Sequence, residues 1–197
     1  MLSARNIAPV AVLALLVGCT DAAKLPADAA IKGAETALAK VRTEAAKYVP
    51  DQLKAVEDGV AQAKDAFAKG DYKGALASAK DLPARASALA TAVAAKKDEL
   101  TRDFTAATGQ LPQLLEAIKG RVDILSAAKK LPKGVDAAQL AGAKDGLASV
   151  TKSLGDATSA MKAGNLAEAV AMAKPLQDKA MEVARSIGLT FGAAPTK

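Results

Sequence analysis

Cys19 is the only thiol in this chain of 197 residues, and the chain has no histidine. A nucleophile that depends on an imidazole base is therefore excluded, and one cysteine cannot close an internal disulfide. Zinc, haem or copper sites built from histidine and cysteine fall for the same reason. What remains that could do chemistry is carboxylate, thioether and glycine. The pairs Glu57-Asp58 and Asp98-Glu99 are neighbours in sequence, so on a helix they point to different sides and lack a second pair at ligand spacing. Met161, Met172 and Met181 fall in the last helical hairpin, two of them near its seam, where methionine fills gaps in a core. Gly70, Gly109, Gly134 and Gly164 each sit at an expected helix boundary and form no phosphate-binding loop. No catalytic residue, metal site or cofactor is expected, and the chain is not read as an enzyme.

Cys19 itself stands in a telling place. Arg5 precedes an apolar run of about eleven residues from Ile7 to Val17, and small residues lead to the cysteine; this is the layout of a secretory signal, since a spanning helix needs roughly 20 residues. The ending Leu16-Val17-Gly18-Cys19 resembles the bacterial lipobox. That resemblance implies removal of residues 1–18, lipid on the Cys19 sulfur and acylation, palmitate among the usual chains, of its new amino group. One acyl chain holds a protein only marginally, at about 0.8 kcal/mol per buried methylene, whereas two or more anchor it stably. By the sorting rule of enteric lipoproteins, aspartate directly after the cysteine retains a protein in the inner membrane. Here Thr20 follows and Asp21 comes one later, so the expectation is the periplasmic face of the outer membrane.

The full chain carries 27 Lys+Arg against 21 Asp+Glu, a mild excess of +6. Lys96-Lys97 and Lys129-Lys130 are the densest clusters and no aromatic residues interleave with them, so nucleic acid is not an expected partner. The excess would help the protein lie against anionic headgroups or cell-wall carboxylates, in which case binding weakens with salt. Hydrophobic residues make up 51% but aromatics only 3%, with no Trp, so alanine supplies most of the apolar count. Phe67, Phe104, Phe191, Tyr48 and Tyr72 are too few to line a ligand pocket of the usual apolar kind.

The spacing predicts an all-α chain. Ile31, Ala34, Leu38, Val41, Ala45 and Tyr48 mark a first helix that Val49-Pro50 breaks. Leu53, Val56, Val60, Ala63 and Phe67 give a second, ended by Gly70 with Asp71 as the next cap. Tyr72, Ala79, Ala86, Val93 and Leu100 recur at sevens in a third, expected to run to about Ala107 with a kink at Pro83. Pro112 opens a fourth, Leu131-Pro132-Lys133-Gly134 is a loop, and Leu140, Leu147, Leu154 and Met161 carry the fifth. Gly164-Asn165 repeats the glycine-then-cap turn before a sixth that Pro175 kinks.

The two halves match. Ala45-Ala46-Lys47-Tyr48-Val49-Pro50 lines up with Ala127-Ala128-Lys129-Lys130-Leu131-Pro132, Gln52-Leu53 with Gln139-Leu140, Gly59 with Gly146, and Gly70-Asp71-Tyr72 with Gly164-Asn165-Leu166. The offset grows from 82 to 87 to 94, so the second copy carries a longer loop and one extra heptad, which keeps its seam in phase. The expected organisation is a signal peptide at 1–18, a lipidated tether at 19–26, repeats at 27–109 and 110–187, and a flexible tail at 188–197. Neither hairpin can bury both faces alone, so docking them gives an elongated antiparallel bundle of two tandem three-helix repeats.

Val49-Pro50-Asp51-Gln52-Leu53, then Ala66-Phe67-Ala68-Lys69-Gly70-Asp71-Tyr72 and Ala75, resemble a helical domain of uncharacterised function found in Gram-negative envelope lipoproteins, sometimes beside peptidoglycan-binding modules. Residues 27–107 carry that resemblance best. The turn at Gly70-Asp71-Tyr72 and Ala75 is also similar to the helix-to-helix turn of tetratricopeptide repeats, without their 34-residue period. Both imply a helical envelope protein and carry over no catalytic residues. The expected function is a lipid-anchored binding or scaffold module for an envelope protein or peptidoglycan; the alternative is a structural or stress-related envelope component without a discrete partner.

Overall fold

The structure, a computed structural model, describes residues 22–190. Cys19 and the expected signal peptide lie outside the described residues. The described chain is all-helical: α1 (Lys24–Tyr48), α2 (Pro50–Ala68), α3 (Tyr72–Ala79), α4 (Leu82–Thr108), α5 (Leu111–Ala127), α6 (Ala137–Lys162), α7 (Leu166–Ala173) and α8 (Leu176–Ser186). Among the described residues there is no strand. None of these helices is long and apolar enough to cross a membrane. The α1 helix begins at Lys24, inside the segment expected to be tether, because Pro26 falls in its first turn, where proline needs no intrahelical partner.

Among the described residues eight helices stand where the spacing predicts six. The expected third and last helices are each divided, at Lys80-Asp81 and at Lys174-Pro175. In the first case Pro83 lacks the N–H that would bond back to Ala79, and its ring crowds the preceding turn. In the second, Pro175 sits at the break and becomes the residue just before α8. Lys80 and Lys174 keep right-handed helical geometry, with φ/ψ of −52°/−44° and −50°/−45°. The break is therefore an interruption of helical hydrogen bonding rather than a loop.

Contacts divide the chain into two compact units between Ala90 and Thr91, inside α4, whereas the sequence repeats meet after its end. In the first unit α1, α2 and α3 pack on one another. Val49 N–H donates to Ala45 O at 2.8 Å while Val49 O accepts from Leu53 at 3.0 Å, so one residue both ends α1 and starts α2. Buried Ile31, Leu38, Leu53 and Val56 line the seam, with alanines at Ala27, Ala34 and Ala63 fully covered. In the second unit α5 packs on α6 and α8, and α6 on α7 and α8. Its core gathers Leu111, Ile118, Leu125, Leu176 and Ile187 around Ala143, Ala180 and Ala184. At 26 residues α6 is seven longer than α2, which has 19.

Two turns of the same geometry close the hairpins. At the first, Gly70 takes φ +82°, and Phe67 O and Ala66 O accept from the N–H groups of Gly70 and Asp71, both at 3.0 Å. At the second, Gly164 takes φ +76°, with Met161 O and Ala160 O accepting from Gly164 at 3.1 Å and Asn165 at 2.8 Å. Asp71 Oδ1 then caps α3 by accepting from Gly74 N–H at 2.9 Å. Asn165 holds the corresponding place before α7, but its side chain does not make that capping bond. Left-handed φ costs a side chain about 1–2 kcal/mol. Gly70→Ala and Gly164→Ala are each expected to lower the unfolding free energy by about 1 kcal/mol, read from denaturant midpoints; an unchanged midpoint for both would mean the turns relax.

Candidate functional site

Three of the four carboxylates singled out in the sequence, Glu57, Asp58 and Glu99, go to separate partners. Arg42 Nε lies 2.9 Å from Glu57 Oε1, which is buried and out of line for a hydrogen bond. Asp58 next door takes the Lys54 ammonium on both oxygens, at 2.9 and 2.8 Å. Glu99 pairs with Lys96 at 2.8 Å, one turn back on its own helix. No two of these carboxyl groups share a proton or an ion. Among the described residues no group of three potential metal ligands gathers. Met161, Met172 and Met181 are half-buried, and Met181 packs against the core of the second unit.

An open cleft of about 520 Å³ runs between α1 and α2, floored by Leu38 and Val60. It lies between two ion pairs, Glu35 with Lys64 at 2.8 Å and Arg42 with Glu57 at 2.9 Å. The pairs are seven residues apart on each helix and opposite in polarity. A slip by one heptad would set Glu35 against Glu57, or Arg42 against Lys64. Each exposed pair contributes only about 0.2–1 kcal/mol, but the slipped registers lose both and gain repulsion, so the charges specify register more than they stabilise it. The charges of the cleft are thus already matched to one another, and its chemistry is that of a neutralised surface.

The titrating groups agree with that reading. Lys32, Lys54 and Lys119 are held above the ordinary lysine value, first by hydrogen bonds to Asp28, Asp58 and Asp123, each four residues away. Glu99 is held below the ordinary carboxylate value, first by the hydrogen bond from Lys96. The lysine contributions are present below the unfolded lysine value and lost at higher pH; that of Glu99 is present above the unfolded carboxylate value and lost in acid. All four groups are on the open surface, and the chain has no histidine. The melting temperature is therefore expected to stay flat between about pH 6 and 9, as followed by circular dichroism; a step near neutrality would reveal a titrating group outside these pairs.

Cys19, the one residue of the sequence with distinctive chemistry, lies outside the described residues. A capping box at the start of α6 had a sequence signal that the helical spacing alone does not use. Asp136 Oδ1 accepts from Gln139 N–H at 2.7 Å, and Gln139 Oε1 accepts from Asp136 N–H at 2.8 Å. It fixes where the Lys129 to Gly134 loop hands over to helix. No family model, no curated protein and no solved structure matches this chain.

Proposed function

We propose that the protein is a bacterial lipoprotein, anchored through acyl chains on Cys19 at the periplasmic face of the outer membrane. There its helices serve as a binding or scaffold module for an envelope protein or peptidoglycan. The observation that carries this reading is the ending Leu16-Val17-Gly18-Cys19 after a short apolar run, in a chain whose only cysteine stands at that point. An alanine-rich helical body whose cleft between α1 and α2 is lined by mutually paired charges fits a partner-presenting role better than a reactive one.

The module is proposed to be two tandem three-helix repeats forming an elongated antiparallel bundle. The duplication is supported by the two glycine turns and by the close approaches beside them. Gly59 faces Leu82, eleven and twelve residues either side of Gly70; Gly146 faces Val183, eighteen and nineteen either side of Gly164. One heptad inserted in the first arm moves its glycine seven residues further from the turn, and antiparallel pairing then places the facing residue seven further along the return arm.

Metabolic labelling with an alkyne fatty acid tests the anchor. Label is expected on the parent and absent from Cys19→Ala, which should also keep residues 1–18 by mass. Label persisting in that variant would overturn the assignment. Photo-crosslinkers on the solvent faces of the lipidated protein in cells then test the module: one dominant adduct on a single face supports it, and diffuse labelling of lipid and abundant neighbours favours a bulk structural role.

A further inference from the structure

One end of the second unit carries several exposed cations and an exposed apolar side chain. There α5 ends at Ala127, the loop 128–136 leads into α6, and α8 ends at Ser186. The ends are tied together: Arg121 Nε donates to Ile187 O at 3.3 Å, and Gly188 lies against Val135. Lys129, Lys130 and Lys133 are exposed on the loop and Arg185 on the last turn of α8. Among the described residues none of these four makes an ion pair within 4.0 Å. Of the acids nearby, Asp123 pairs with Lys119 and Asp136 is taken up in the capping box, while Glu182 stands one turn back on α8. The carbonyl ends of α5 and α8 favour positive charge here, opposed by the single N-terminus of α6. Ile124, one turn from the end of α5, is 64% exposed.

We propose that this end is a docking surface for an anionic phospholipid bilayer, making a membrane contact that does not require the acyl anchor proposed above. Exposed lysines at the same end as an exposed isoleucine match the boundary between headgroups and acyl chains, where charge meets phosphate and the apolar side chain leaves water. A soluble acidic polymer offers the charge but nothing for Ile124.

The test uses residues 19–197 carrying Cys19→Ser, the chain left by the proposed cleavage, so that neither an acyl chain nor the apolar run from Ile7 to Val17 contributes, sedimented with vesicles of phosphatidylglycerol and phosphatidylcholine or of phosphatidylcholine alone. Binding to the anionic vesicles is expected, weakening with salt. The triple variant Lys129→Gln, Lys130→Gln, Lys133→Gln should lose on the order of 100-fold in partition, at about fivefold per lysine. Ile124→Ser should lose about tenfold. A control with the same charge change, Lys40→Gln, Lys73→Gln, Lys162→Gln, should stay within a few-fold of the parent. Unchanged circular dichroism melts establish that each variant is folded. Equal losses in the two triple variants would overturn the proposal. So would undiminished binding to phosphatidylcholine alone, or displacement by soluble polyglutamate with Ile124→Ser behaving as the parent.

Discussion

Ile118→Ala is expected to lower the unfolding free energy of the second unit by about 3–4 kcal/mol, toward the upper part of the range for truncating a large core side chain. Ile118 is fully buried at the middle of α5, on the face that also carries Leu111, Leu114, Val122 and Leu125. Much of the same core is alanine, with Ala143, Ala180 and Ala184 at 1%, 0% and 0% exposure. Those methyl groups are fixed to their helices and have no rotamer with which to fill a hole. Closing the cavity therefore means moving a helix, and the lost contacts are recovered only in part. Ile118→Val removes a single methylene and should cost about 0.5–1.5 kcal/mol. Denaturant titration checks both, read in the transition that unfolds α5 to α8 and at constant m-value. A loss below about 1.5 kcal/mol for the alanine variant would mean that half-buried Leu115, Leu147 or Met181 swings in, and that this core is softer than its alanines imply.

Helix positions were legible because apolar residues at three- and four-residue spacing have no other way to share a face, and because Gly70 and Gly164 are needed where the chain turns through positive φ. The breaks were harder. Pro83 and Pro175 signalled a kink in each long helix, yet spacing continues in phase across both breaks, since Ala79 and Leu82, or Ala173 and Leu176, remain buried on either side. Periodicity reports which face is covered and is blind to a break that preserves the face. The start of α6 was missed for a different reason. Asp136 and Gln139 form a local hydrogen-bonded box that apolar spacing does not register, although the residue types at that separation announce it. The cleft between α1 and α2 was not legible either: Glu35 meets Lys64 from 29 residues away, and pairing at that distance follows only once the antiparallel register is known. Gly59 and Gly146 were matched as repeats, but what each faces depends on the partner helix.

That pair gives the second large effect, as a coupling. A Cβ added at Gly59 would stand 2.8 Å from Leu82 Cδ2, and Leu82 is only 1% exposed. Gly59→Ala gains about 1 kcal/mol of helix propensity and meets an overpacking cost of about 1–3 kcal/mol, for a net loss near 1. Leu82→Ala alone should cost about 3 kcal/mol through the cavity it leaves. In the double variant the new methyl enters the space that Leu82 vacates, the clash disappears and the propensity gain survives. The sum of the single losses is about 4 kcal/mol, and the double is expected to lose only about 2, a coupling of about 2 kcal/mol between touching residues. Gly146 and Val183 should couple with the same sign, since a Cβ there stands 2.5 Å from Val183 Cγ2. Gly120 has open space at its Cβ position, so Gly120→Ala should stabilise by about 0.5–1 kcal/mol. Were Gly59→Ala to stabilise as Gly120→Ala does, Leu82 would have yielded without cost. The glycine would then not be what lets these helices approach, and the additive double variant would show it independently.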